Sequence, residues 1–329
     1  WNTENFNGYT YVSWSFRKAE KFFDVVTYTG TTANQAISHG LGSVPGMIIV
    51  RALSGDNWFV WHNSLSTSGV GSSTGHYKLI LNSTAAKAVD NGVNTVTDSS
   101  FTVLGNNGET NSNGTSYVAY VFANDAGGFG DDDENIIKCG SVTTNWSAVE
   151  VDVGFEPQFV IAKVADRTDP FRLFDNMRGV ITGGNDALLR ADQSYYENQG
   201  GASDFIDFTS TGFIAKSELV YPSKLIYIAI RRPMKTPEAG TEVFVVDDRA
   251  AATPSFVSDF PVDLYWTRAK TSGNFFDYAR LRGDKYLQHD GTNAETSGGA
   301  YFDSNTGVGS SGSASTNNLA WMFKRATGF

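Results

Sequence analysis

Apolar and polar residues alternate along this chain in short runs, and each run is closed by Gly, Pro, Asn or Ser. In "NWFVWHN", Asn57 to Asn63, a period of two sets Trp58 and Val60 on one face and Phe59 and Trp61 on the other. A helix would need apolar residues every three or four positions. The best stretch for one, "NDALLRADQSYYENQ" at Asn185–Gln199, lacks a clean apolar stripe. Short strands separated by turn residues predict an all-β chain of tandem antiparallel β-sandwich domains.

The strands recur in order. "YVSWSFRKA" from Tyr11, "YVAYVFAND" from Tyr117, "YIAIRRPMK" from Tyr227 and "NLAWMFKRA" from Asn318 share an apolar run with a small residue inside it: Ser13, Ala119, Ala229 or Ala320. A small residue at a fixed place in a buried strand marks close approach of a neighbour. Between these runs, "GLGSVPGMIIVRA", "VGFEPQFVIAKV" and "VSDFPVDLYWTRA" each carry a proline before a strand that ends on a base. The prolines are Pro45, Pro157 and Pro261, and the bases are Arg51, Lys163 and Arg268. Proline suits a strand start because it has no N–H to give to a ladder. An aromatic strand follows each base: "NWFVWHNSL", "DPFRLFDNM" and "NFFDYARLR". The pattern divides the chain into three sandwich repeats at 21–125, 126–236 and 237–329, with residues 1–20 as the last strand of a preceding repeat. A chain that opens inside a repeat reads as a fragment of a longer protein.

Composition narrows the function. The chain has 329 residues, a length that suits two or three domains, and 40% hydrophobic residues are enough for real cores. Its net charge is −10, and its Lys and Arg form no cluster larger than a pair. Phosphate binding needs a basic face, so nucleic acid is not an expected partner. No run of 18 apolar residues suggests membrane insertion. The single cysteine, Cys139, excludes an internal disulfide and reads as a small buried hydrophobe.

Candidate chemistry is sparse. The four histidines, His39, His62, His76 and His289, lack metal-site spacing and read as structural. The acidic run Asp131, Asp132, Asp133 and Glu134 offers oxygen ligands for Ca²⁺ without the ligand spacing of a calcium loop. It reads first as a solvated linker, and Ca²⁺ is the one cofactor considered. Glu150, Asp152, Asp175 and Asp207 are the carboxylates a glycan-cleaving site would draw on, but their alternation with apolar residues reads as outward-facing strand positions. No enzyme is expected. Aromatic hairpins are more suggestive, because a sugar's apolar face stacks on a ring while neighbouring polar groups take its hydroxyls. Trp58, Trp61 and Phe275 are the candidate glycan-binding residues. The competing role for each ring is to fill a core.

Together, "WSFRKAEKFFDVVTYTG", "ISHGLGSVPGMIIV", "YVAYVFA", "YIAIRRPMKTPEAGTEVF" and "GDKYLQHD" resemble repeats in tail and tail-fibre proteins of tailed bacteriophages, especially marine ones. The resemblance runs over essentially the whole chain and carries over no catalytic residues. It implies an extracellular virion protein that is structural and contributes to host-surface glycan attachment. Its partners would be copies of itself, other virion proteins and a host glycan. A non-viral surface adhesin of the same architecture is the alternative, and a glycan-degrading spike is a third.

Overall fold

A computed structural model of the chain describes residues 11–65, 76–105, 107–129, 134–180, 182, 185–197, 204–232, 237–252, 254–283, 285–302, 304–310 and 317–326. Their regular elements are antiparallel strands and three short 3-10 helices, Ser217–Val220, Gly240–Glu242 and Arg280–Arg282. The described part of the Asn185–Gln199 stretch holds a two-residue strand, Leu189–Arg190, and no helix.

Three stretches of chain fold the same way, and no sheet among the described strands draws from two of the spans 21–125, 126–236 and 237–329. In the first unit an opening strand, Phe23–Thr29, lies beside a closing strand, Ser116–Ala123. Next come a base strand, Pro45–Ala52, a ring strand, Trp58–His62, and the short strands Tyr77–Ile80 and Ala88–Val89. The second unit repeats the order with Ile137–Thr144, Ser223–Arg231, Pro157–Val164, Arg172–Asp175 and Leu189–Arg190. The third has Phe244–Asp248, Asn318–Phe323, Leu264–Ala269, Phe275–Ala279, Lys285–Gln288 and Thr296–Ser297. A three-stranded sheet covers the inner face of each large sheet; in the first unit it is Gln35–Ser38, Ser100–Val103 and Val93–Val96. The inner core of that unit sets Ile48, Val50, Phe59, Ala119 and Val121 with Phe101 and Val103, all fully buried.

The proline-led strands are equivalent. Pro45 and Pro157 begin their strands, and in both the register slips at the next residue, Gly46 or Gln158. Pro261 precedes its strand by three positions. The bases lie on the outer face in all three units: Arg51 opposite Val118, Lys163 opposite Ile226 and Arg268 opposite Leu319.

Closing strands match less simply. After the residue opposite the base comes Ala119 in the first unit and Ala320 in the third, but Tyr227 in the second. Ala229 therefore sits two positions further along, so the phrase shared by the closing runs is out of register in the middle unit. An even shift leaves the inward face inward. The larger ring is accommodated by its opposite neighbour, Gly140, where a Cβ would come within 2.4 Å of the Tyr227 hydroxyl.

The outer faces of the first two large sheets pack on each other. Met47, Ile49, Val60 and Phe122 join Ile137, Cys139, Phe159, Ile226, Ile228 and Ile230 in one continuous core. Two sandwiches stacked this way make four β-layers. Backbone approaches closely where Gly46 meets Cys139: a Cβ on Gly46 would lie 2.5 Å from the Cys139 Cβ. Polar groups cross the same seam. Backbone bonds run from Lys87 to Ala165 (2.7 Å) and from Asp169 to Thr84 (2.8 Å). Lys87 pairs with Asp166 at 2.6 Å, and Lys224 donates to the Ser64 carbonyl at 3.0 Å. Residues 1–20 were expected as the last strand of a preceding repeat; residues 1–10 lie outside the described residues, and 11–18 make no ladder. Instead Trp14 packs on Phe159 at 5.7 Å and donates its indole N–H to Asp175 at 3.0 Å. A strand exists only with a neighbouring backbone to pair with, and this segment is held by side chains instead, those of the second unit at Trp14 and those of the first at Phe16 and Lys18.

The second and third units meet differently, through a polar joint. Arg232 and Arg325 share Glu156 and Asp263, while Arg280 donates to the Asn176 carbonyl at 3.1 Å.

His62 is fully buried in the apolar seam. Its Nδ1 accepts from the Ser64 N–H at 3.1 Å, which puts the proton on Nε2, 3.1 Å from the Tyr227 carbonyl. Burial pushes its pKa down to about 4, only partly offset by that carbonyl. The unfolded chain takes up a proton near pH 6.5, before the folded one does, so stability is intact above pH 6.5 and falls as pH drops toward 4. The expected loss is about 3 kcal/mol. Urea denaturation between pH 7 and 4.5 should show this slope, and His62→Gln should flatten it.

Candidate functional site

Each base strand turns into an aromatic strand, and the turn puts one ring on the outer face beside the base. Trp58 is opposite Arg51, whose guanidinium lies 5.3 Å from the indole centroid. Phe171 lies 5.8 Å from the Lys163 ammonium, and Phe275 is opposite Arg268. The three rings have one structural place and three different surroundings. Trp58 is half-buried and stacks on Tyr120 at 6.1 Å. Phe171 is shut into the seam between the first two units. Phe275 lies in a cluster with Trp266, His289 and Trp321, at 6.3, 4.5 and 5.6 Å.

Trp61 is not a surface residue. The period of two places it with Phe59, and that face is the inner one, so its ring fills the first core at 8% exposure. A buried ring cannot stack on a sugar, which removes Trp61 from the candidate site. Trp58 and Phe275 are both half-buried and keep only part of their surface open.

The base at the second position is unusual. Lys163 has no exposed surface, and its ammonium donates to the carbonyls of Val164 (3.0 Å) and Arg167 (3.3 Å). Burial lowers its pKa to about 8, against the opposing pull of Asp169 and Asp192. It fastens the loop that follows the base strand, next to the seam.

That loop and its neighbours present the most distinctive exposed ring. Trp146 is 65% exposed at the turn between the opening strand Ile137–Thr144 and Val149–Asp152. Its φ is +73°, a conformation costing a residue with a Cβ on the order of 1 kcal/mol. The turn is held by a 2.6 Å bond from the Trp146 N–H to the Val220 carbonyl, and by Thr144, whose hydroxyl bonds the Tyr221 carbonyl. Trp146 meets Tyr221 edge-to-face at 4.8 Å, and the Arg167 guanidinium lies 3.7 Å from the Tyr221 centroid. The result is an exposed indole set against Tyr221, whose ring carries the Arg167 guanidinium, and next in the chain to the exposed Asn145. Period-two patterning carries no signal for Trp146, because it says nothing about φ or about which turn ring stays uncovered.

Among the carboxylates that hydrolysis would draw on, Asp175 and Asp207 are buried, contrary to the outward placement expected from alternation. Each has a cation to answer its charge: Arg178 holds Asp175 at 2.7 Å, and Lys216 pairs with Asp207. Glu150 and Asp152 do point outward, and Asp152 caps the Gly154 N–H at 2.8 Å. His39, His62 and His76 are buried, and His289 leans on Phe275 and Trp266. The calcium candidates Asp131, Asp132 and Asp133 lie outside the described residues; among the described ones no cluster of three metal-ligating side chains occurs. Cys139 is buried at the seam, where its thiol contacts the Ala123 carbonyl, and burial pushes its pKa up.

A family model described as a domain of unknown function, DUF7483, matches residues 1–224. No curated protein and no solved structure matches the chain.

The two faces of the ring strand predict opposite responses. Trp61→Ala should destabilise the chain by about 3–5 kcal/mol, the cost of emptying a packed core. Trp58→Ala should cost about 1–2 kcal/mol, since that ring is only half-buried. Chemical denaturation of both variants checks the difference; equal losses would contradict the assignment of faces.

Proposed function

The chain belongs to the DUF7483 family, and we propose that it is a structural part of a phage tail or tail fibre that also attaches to a host-surface glycan. The observation that carries attachment is Trp146: an exposed indole held at φ +73° in a pinned turn. A solvent-exposed ring gains little from burial and here bears a backbone cost, an arrangement typical of binding sites. Its chemistry suits sugars. The open indole face offers a stacking platform, and Arg167 and Asn145 are within the same surface to meet hydroxyls. The structural half is supported by the four-layer block of the first two units, which gives the turn a stiff mount. The virion setting comes from the resemblance of the repeat phrases. In this reading attachment moves from the hairpin rings to the turn of the second unit, and no reaction is assigned to the chain.

Antibody labelling of intact particles tests the setting: signal on the tail is expected, and a clean particle lacking the chain would refute it. Trp146→Gly tests the platform. Glycine adopts positive φ freely, so stability should stay within about 1 kcal/mol of the parent. Binding to host cells or to a glycan array should fall at least tenfold. Undiminished binding by the folded variant would rule out Trp146 as the contact.

A further inference from the structure

Equivalent register positions show a face that the first two units bury and the third leaves partly exposed, with Leu264, Trp266, Trp321 and Phe323 all half-buried. On the outer face, Met47 pairs with Phe122 and Ile49 with Tyr120 in the first unit. The same places hold Phe159 with Ile230 and Ile161 with Ile228 in the second. Those two faces cover each other. In the third unit the positions hold Leu264 with Phe323 and Trp266 with Trp321. The opening strand adds Phe244 and Val246 to this face, 36% and 44% exposed. Among the described residues, the ring contacts of this face are with each other and with His289. The polar joint to the second unit, through Arg280, Arg232 and Arg325, adjoins only one end of this face, beyond Leu264 and Phe323.

We infer that this outer face of the third unit docks on the same face of a second copy of the chain, as the first two units dock on each other. The precedent is internal, since the same sheet face of the same fold already buries itself against its counterpart within one chain. A patch that pairs with its own kind generates a closed two-fold contact. Four neighbouring strands at about 4.8 Å spacing carry the patch, so its extent is on the order of several hundred Å², the size at which exposed apolar surface marks an interaction site. Charge permits it. The chain as a whole carries −10, which opposes self-association, but the acids of this face have bases near them: Asp277, opposite Trp266, pairs with Arg282 (3.0 Å), Asp248 pairs with Lys270 (2.6 Å), and Asp290, which caps the Phe275 N–H, lies near Arg268. Like-charge repulsion across this face is thus small.

The inference supplies a surface for the self-association expected of a tail part. It rests on that reading only for its setting, and its failure would leave the Trp146 test untouched. Sedimentation velocity of the full chain across a hundredfold dilution should show a monomer–dimer equilibrium. Val246→Lys and Phe244→Lys, both on the opening strand, should lower the dimer fraction at least tenfold with circular dichroism unchanged, and Val246→Lys, the more exposed of the two, should also leave the melting transition unchanged. Val25→Lys, at an exposed position of the first unit's opening strand, should leave it intact. A parent chain that stays monomeric at the highest concentration overturns the proposal, whatever the variants do. So does a dimer that survives both lysines, or glycan-array binding by a monomeric parent that Val246→Lys abolishes.

Discussion

The packing of two sheet faces across the Gly46–Cys139 contact governs the first two-thirds of this molecule. An antiparallel sheet normally shows one face to a core and the other to water. Here the first and second units are apolar on both faces, so neither large sheet can stand with its outer side in solvent. The middle layers must meet, and they can meet closely only because Gly46 has no side chain at the crossing. The small sheets, the loop fastened by Lys163 and the turn that carries Trp146 all take their places from that block. The matched family region, residues 1–224, spans the first unit and most of the second, the pair that shares the seam.

Burying polar groups in such a seam lowers stability and raises specificity. His62 must stay neutral, and Lys163 must find carbonyls for its ammonium. Any sliding of one sheet over the other would strand these groups without partners. Apolar contacts alone would tolerate several registers; the polar bonds from Asp169 to Thr84, from Lys224 to Ser64 and from His62 to Tyr227 admit one.

Much of this was legible in the sequence, and what was not has a physical reason. Turn residues between alternating runs give the all-β class, and ordered recurrence of proline, base and ring gives three units of like topology. Alternation also separates Trp58 from Trp61 correctly. It cannot say which side is inner, because a period of two fixes relative faces only; that is why Trp61 read as a surface candidate. A better signal was present in the base strands. "MIIV" and "FVIA" are continuous apolar runs of four, the mark of burial on both faces, whereas "LYWTRA" gives way to Thr267 and Arg268 after three. The displaced closing strand at Tyr227 escaped notice because an even shift preserves the apolar pattern. The buried Asp175 and Asp207 were misplaced for a related reason: a carboxylate at an alternating position looks solvent-facing until its cation, distant or local, is known.

The two-residue displacement of Tyr227 bears on how such an array can change in copy number. Tandem repeats of like sequence invite recombination between neighbouring units, which adds or deletes whole modules. A closing strand transplanted from the second unit to the first would set the Tyr227 ring against Val26, where Ala119 now sits, with no glycine opposite to receive it. The reverse exchange would leave a hollow beside Gly140. Units that look interchangeable as phrases are therefore not interchangeable as parts, and the seam between the first two makes them heritable as a pair.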